Sequence, residues 1–398
     1  MNKEAPYWMT LAHDLTPFSF SNREGWKNEE KMNLIIHFFH ENKISIEAFF
    51  NLSNDNWKND YQLTDKQILD LTQAKEKVAS NAFLAETLYN SGIEIVPIIS
   101  PDYSKTLKEI LKKSAPIVLY IKGNKQIMQE KSIAIVGSRE ASDVALQFTD
   151  SIAKLASKEY KVVVSGFAKG VDKQALDSAI AYKGQSIIVL PQGIMTFESG
   201  FKTYYKQIMD GDVLVLSTFP PKAGWSKDLA MARNPIIYGL AKEIFVAESK
   251  PSKNRQGKET KGGTYAGVID GLKKGRIIYV RKPDVSEKND NNFLIQSGAV
   301  AVDSNGDKAI KEYKYNEMPY SMVSEPQVEY NSFPNRIKQI LSHGHLTIKD
   351  IHKRLHFEKS DIVLKKELEK LDFIEIKKEK NKTFYLLKGK NHPTLFEL

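Results

Sequence analysis

The residues equipped for chemistry lie in a few short stretches between positions 137 and 264. The first is Gly137-Ser138-Arg139, directly after the apolar run Ser132–Val136. Glycine permits a tight turn at the carboxyl edge of a parallel strand, and the helix that follows offers N–H groups and a positive dipole end. The Arg139 guanidinium suits phosphate oxygens. The alternative is a plain strand-to-helix turn with a surface arginine. The second stretch is Ser165-Gly166-Phe167-Ala168-Lys169-Gly170-Val171-Asp172. Two glycines four apart allow backbone amides to curl into an anion-binding nest. Lys169 adds charge, and Asp172 is placed to cap a helix from near Lys173 rather than to act as acid or base. Arg233-Asn234 comes next, then Gly262-Gly263-Thr264, which opens a helix. Ahead of the latter, Lys250–Lys261 carries Lys250, Lys253, Arg255, Lys258 and Lys261. This run reads either as a solvated loop or as a basic arm that tracks a phosphate backbone.

Much chemistry is excluded. The first loop lacks Gly-x-Gly-x-x-Gly, and Ser165-Gly166 stands where a ribose-binding acid would be expected, so hydride transfer with a dinucleotide cofactor is a poor reading. A Gly-x-x-x-x-Gly-Lys-Ser/Thr phosphate loop is missing too. There are no cysteines, which excludes disulfides, thiolate metal sites and a cysteine nucleophile. The eight histidines, at 13, 37, 40, 343, 345, 352, 356 and 392, all avoid the stretch with the glycine loops, which removes the usual proton shuttle. His352 and His356 stand four apart, a spacing able to hold zinc, but no third ligand motif accompanies them and surface histidines are the preferred reading. We expect no cofactor, no metal and no catalytic residue.

The elements that must position these groups show in the apolar rhythm. Val- and Ile-rich runs at Ser132–Val136, Lys161–Val164, Ser186–Leu190, Val213–Leu216, Glu243–Val246 and Arg276–Val280 alternate with helix-length segments. Uninterrupted apolar strands indicate burial on both faces, hence a Rossmann-like, doubly wound, mostly parallel α/β sheet. Its loops after the first, second and fifth strands open on one edge, where Arg139, Lys169, Arg233 and Gly262–Thr264 are predicted to converge. Phe167 and Tyr265 are near enough to stack bases there, or else are simply packed. We divide the chain into a helical N-terminal region with lead-in strands (1–124), the α/β domain (125–305), a linker (306–330) and a C-terminal domain (331–398). In the last, Pro334–Ser342, Thr347–Leu355 and Lys359–Leu371 read as helices, and Phe373–Ile376 with Thr383–Leu387 as a hairpin. That is the outline of a winged helix.

With 398 residues, 41% of them hydrophobic, the chain has ordinary globular composition. The net charge is +9, and residues 331–398 hold 15 Lys and Arg against 9 Asp and Glu, the footprint of a nucleic-acid module. No apolar run approaches a membrane span, and Met1–Pro6 lacks the apolar core of a secretion signal, so we expect a cytoplasmic protein with no membrane partner.

Taken in order, Ile135–Arg139, Ser165–Asp172, Val189-Leu190 with Gly193, Arg233–Ile237 with Gly239-Leu240, Gly275-Arg276 and Asn292–Ala299 form a series. This series resembles the DprA/Smf (DNA-processing protein A) family, and Asp102–Lys108 and Pro116–Asn124 resemble its lead-in. The resemblance implies a non-enzymatic single-stranded DNA-binding protein with a SAM/HhH-like helical N-terminus and a winged helix. Such a protein would be a homodimer that passes DNA to a RecA-type recombinase during natural transformation. It further implies that Arg139, Lys169 and Arg233 meet phosphates, with Gly137, Ser138, Ser165, Gly166 and Gly170 shaping the loops. Departures from the family pattern are Leu176 for His, Pro235 for the second arginine of Arg-Asn-Arg, Thr218 for Glu and Gly267 for Thr. They leave open a nucleotide-ligand sensor, for instance in a defence system. A nucleoside monophosphate N-glycosidase is weaker, since no Glu follows Gly262-Gly263-Thr264 at the required offset.

Overall fold

The computed structural model describes residues 2–17, 25–253, 259–303 and, of the C-terminal part, 337–338, 340–341, 346–355, 360–379 and 382–388. The chain divides into two compact units, Met1–Glu317 and Met318–Leu398.

The first unit is built on a nine-stranded sheet. Its strands are β1 (Glu94–Pro97), β2 (Val118–Lys122), β3 (Ser132–Val136), β4 (Val162–Ser165), β5 (Ser186–Val189), β6 (Val213–Ser217), β7 (Glu243–Val246), β10 (Ile278–Arg281) and β11 (Val300–Val302). Between β7 and β10 in the chain lies a separate two-stranded ribbon, β8 (Ser252–Lys253) with β9 (Glu259–Thr260). Arg255 and Lys258 of the expected basic arm lie outside the described residues. The sheet order is β1-β2-β6-β5-β4-β3-β7-β10-β11. From β6 to β11 every neighbouring pair is parallel, as the apolar runs predict. The lead-in strands β1 and β2 extend the same sheet antiparallel, through Tyr120 opposite Ser217.

Strand alternation sorts β3 onto both faces. Ile133 and Ile135 join the core beneath the helices Asp143–Lys158 and Val171–Ala181, while Ala134 and Val136 face the opposite core. The Asp143–Lys158 helix buries Ala145, Phe148, Thr149, Ile152, Ala153 and Ala156, the three-and-four spacing of one helix stripe. The second face is continuous from Ala5 to Ala299 and takes in the N-terminal helices through Trp8, Phe38, Phe49, Phe50 and Trp57. Among the described residues, no helix is long and apolar enough to cross a membrane.

Chain order decides where a ligand can enter. From β3 the chain winds outward through β4, β5 and β6, and then returns to lay β7 on the other side of β3. The loops leaving β3 and β7 therefore run to opposite faces and leave a crevice beyond their carboxyl ends, the usual ligand position in open α/β sheets.

In the second unit, the helices Ile348–Leu355 and Asp361–Glu369 accompany a sheet ordered β12 (Leu346–Thr347), β14 (Lys382–Leu387), β13 (Ile374–Glu379). Ile351, Leu355, Leu364, Leu368, Ile374 and Tyr385 form its core. The 306–330 linker lies outside the described residues, as do His356 of the C-terminal domain and most of the first expected helix. His352 pairs through its ring Nδ1 with Asp361.

Candidate nucleic-acid interface

A cleft of about 710 Å³ opens at the crevice between β3 and β7. Gly137, Ser138 and Arg139 line it from the β3 loop, and Lys250 and Pro251 from beyond β7. Arg233 and Asn234 come from the helix Lys227–Leu240, and Gly262, Gly263 and Thr264 from the start of the helix Gly263–Lys273. Among the described residues, four cations (Arg139, Lys227, Arg233, Lys250) line the cleft against two carboxylates, Glu140 and Asp172. The surplus of positive charge is set in a concave wall, where field lines focus.

The rest of the expected site lies elsewhere. Ser165, Gly166, Lys169 and Gly170 do not line the cleft. Ser165 is buried, its hydroxyl donating to the Ile135 carbonyl at 3.0 Å. Lys169 is exposed outside the wall. Gly170 turns at φ +78°, where a Cβ would lie 2.4 Å from the Ser138 carbonyl oxygen, so only glycine fits. Gly166 lies under the Arg233 guanidinium, and a Cβ there would stand 1.2 Å from Nη1.

The second loop is not a fully open nest, because two of its amides already face acceptors within the chain. The Val171 N–H donates to the Ser138 carbonyl at 3.2 Å, and the Ala168 N–H is close enough to the Asp172 carboxylate to pull its pKa down. Nor is Asp172 a helix cap: Gly170 is the N-cap, and Asp172, within the first turn, meets Arg233 Nη1 at 3.4 Å. In the first loop, the Ser138 N–H goes to the Glu248 carbonyl at 2.8 Å. The next helix is closed by Ser142, whose own N–H and hydroxyl are held by the buried Glu248 carboxylate at 2.9 and 3.0 Å. The Gly263–Lys273 helix differs. Its N-cap is Gly262, which has no side chain to accept a hydrogen bond, so this helix start opens uncapped onto the cleft. Thr264 donates its hydroxyl to the Gly137 carbonyl at 3.1 Å and ties that start to the β3 loop.

Arg233 is the cation at the floor, 4% exposed. Burial, and after it the charge of neighbouring Arg139, lowers its pKa from the ordinary value, while Asp172 opposes the shift. Burial also pushes the Asp172 carboxyl above the usual range, with Arg233 pulling the other way. Asp172 engages only one end of the guanidinium. The buried Nε has no hydrogen-bond partner among the described residues.

Sequence reasoning missed Trp225, Lys227, Met231 and Tyr238, all of which line the cleft. Two departures from the expected pattern have physical readings here. Pro235 sits inside the Lys227–Leu240 helix and has no N–H to return to the Met231 carbonyl. Gly267 makes room for Tyr238, since a Cβ there would be 2.5 Å from its ring. Phe167 packs edge-on against Phe197 and Tyr204, at 5.0 and 5.7 Å, and Tyr265 does not line the cleft.

Comparison with known proteins agrees with this architecture. Residues 94–314 match the family described as DNA recombination-mediator protein A. DNA processing protein DprA of Streptococcus pneumoniae is 29% identical over 220 residues, which are 55% of this chain and 73% of that protein. Protein Smf of Borreliella burgdorferi is 25% identical over 320 residues, 79% of this chain and 90% of that one. The solved structure of the Streptococcus pneumoniae protein superposes with a TM-score of 0.55 at 22% identity, covering 78% of this chain and 99% of that one. The matched span contains the whole cleft, and the chain belongs to the DprA/Smf family of DNA recombination-mediator proteins.

Proposed function

We propose that this protein binds single-stranded DNA, seating its phosphates on the cations of the cleft without changing a covalent bond. The observation that carries the reading is Arg233 at the floor of a cationic cleft, a buried guanidinium whose Nε has no partner among the described residues and which feels the charge of Arg139 on the rim. Two like charges held together repel, and an anion between them relieves both. Arg139, Lys250 and the uncapped helix start at Gly262–Thr264 would take neighbouring phosphate oxygens. The DNA part of the reading follows the relatives named for DNA processing. The single-stranded part follows the size of the cleft, which suits one or two nucleotides and not a duplex.

That same size favours one other reading, a free nucleotide as ligand, because about 710 Å³ falls in the range of small-molecule sites. A salt titration separates them. An oligothymidylate should bind with an affinity that falls with salt by roughly 0.7 log units per log unit for each phosphate neutralised. Mononucleotides should fail to displace it. A mononucleotide that binds more tightly than the strand would establish the second reading, and no binding of either would end both.

We extend the proposal to the second unit as a winged helix, to homodimerisation, and to delivery of the strand to a RecA-type recombinase in the cytoplasm. On the Asp361–Glu369 helix and its end, Lys365 pairs with Glu369 at 3.9 Å and Lys370 with Glu367 at 2.7 Å. Partly neutralised lysines of this kind fit protein docking as well as they fit duplex DNA.

A further inference from the structure

Two large apolar side chains remain open to solvent on the wall of an otherwise cationic cleft. Trp225 is 56% exposed and Met231 43% exposed. The other three tryptophans, Trp8, Trp26 and Trp57, are at most 4% exposed, so Trp225 is the indole that folding has not used. The loop that carries it does not depend on it. Ser226 caps the following helix through the Leu229 N–H at 3.1 Å, and that bond involves no indole atom. The ring lies beside a phosphate-binding candidate, with the Arg139 guanidinium carbon 6.0 Å from the ring centroid.

A sugar-phosphate chain has no use for an indole face, since its own surface is charged and polar. An unpaired base does, because stacking on an aromatic ring removes two apolar faces from water and tolerates any base. The chemistry of Met231 suits the same role: its soft, polarisable sulfur on an unbranched side chain adapts to a flat ring. Asn234, next along the wall, offers both a donor and an acceptor for a base edge.

We propose that Trp225, with Met231 lining the same cleft, is a base subsite that takes the face of an unpaired nucleobase whose adjoining phosphate sits on Arg139. The inference rests on the strand-binding reading above and assigns the aromatic contact to a ring that lines the cleft, as Phe167 and Tyr265 do not.

The test compares an oligothymidylate with a strand of the same length and charge built from abasic sugar-phosphate units, using the full chain. The wild type should prefer the base-bearing strand by about tenfold, and in Trp225→Ala most of that preference should vanish, the loss falling chiefly on the base-bearing strand. Trp225→Phe should retain most of it. Tryptophan fluorescence supplies a second readout: the base-bearing strand should quench the wild type, and Trp225→Phe should remove that quenching. Equal affinity of the wild type for both strands would overturn the subsite, as would an equal loss on both strands in Trp225→Ala. Failure of the wild type to bind either strand would instead remove the phosphate reading, and the subsite with it.

Discussion

The floor of the cleft and its rim are built on opposite principles. At the floor and beneath it, polar groups meet one another: Asp172 holds Arg233, and under them Ser165 bonds the Ile135 carbonyl and Gly166 leaves the gap the guanidinium fills. On the rim, Arg139, Trp225 and Lys227 are exposed. The glycine-rich motif that reads most like a binding loop mainly supports the floor from beneath, whereas the rim comes from less regular stretches. Glycine in such a loop marks close packing at least as readily as it marks a ligand.

The largest effect that follows is on the floor. In Gly166→Ala the new Cβ and the Arg233 guanidinium cannot share their space. Displacing the guanidinium leaves Asp172 buried without its counter-ion, a loss of about 3–5 kcal/mol. Chemical denaturation should show it, together with loss of strand binding under native conditions. Wild-type stability in this variant would mean that the floor is loosely packed and the contrast with the rim is false.

Glu248 sharpens the division, because it stands behind the rim and yet belongs to the interior. It is 2% exposed, accepts both Ser142 donors and lies 3.3 Å from Lys250 Nζ. Glu248→Ala should cost about 2 kcal/mol through the donors it leaves open. Affinity per folded molecule should not fall, since a carboxylate has been removed from behind a cleft cation. A stability curve and a binding isotherm on one preparation check both halves, and reduced affinity at full stability would reverse the assignment.

How much of this could be read from the chain follows from the range of each interaction. The strands β3 and β7 are found with the bounds their Val- and Ile-rich runs indicate, because burial on both faces is written in consecutive residues. The sixth apolar run begins at Arg276, but its strand begins only at Ile278, since Arg276 turns back to the carbonyls of Tyr238, Ala241 and Lys242. The strand β11, three residues long, is too short to signal itself. In the site, Arg139, Arg233 and the Gly262–Thr264 turn were legible because the edge on which parallel strands end is fixed by topology. What was not legible is which amides are already engaged. Glu248 reaches the β3 loop across more than a hundred residues, and only the folded chain places it there. Trp225 escaped for a similar reason, since an exposed indole and a buried one are the same letter.

The smallest expected effect is the most direct probe of where the rim ends. Arg139 and Lys169 are both exposed cations on loops at the carboxyl edge of the sheet, and by residue type alone they are equivalent. Only Arg139 lines the cleft. Arg139→Ala should weaken oligothymidylate binding about tenfold at low salt and reduce the salt slope by roughly 0.7. Its stability should stay within about 0.5 kcal/mol of wild type, as for a surface substitution. Lys169→Ala should change neither affinity beyond about twofold nor the salt slope, since a charge off the strand's path acts only through screened solvent. The two variants, titrated side by side, give the path of the strand. Should Lys169→Ala lower the slope as far as Arg139→Ala, the strand crosses the second loop after all, and the rim extends over the floor's outer side.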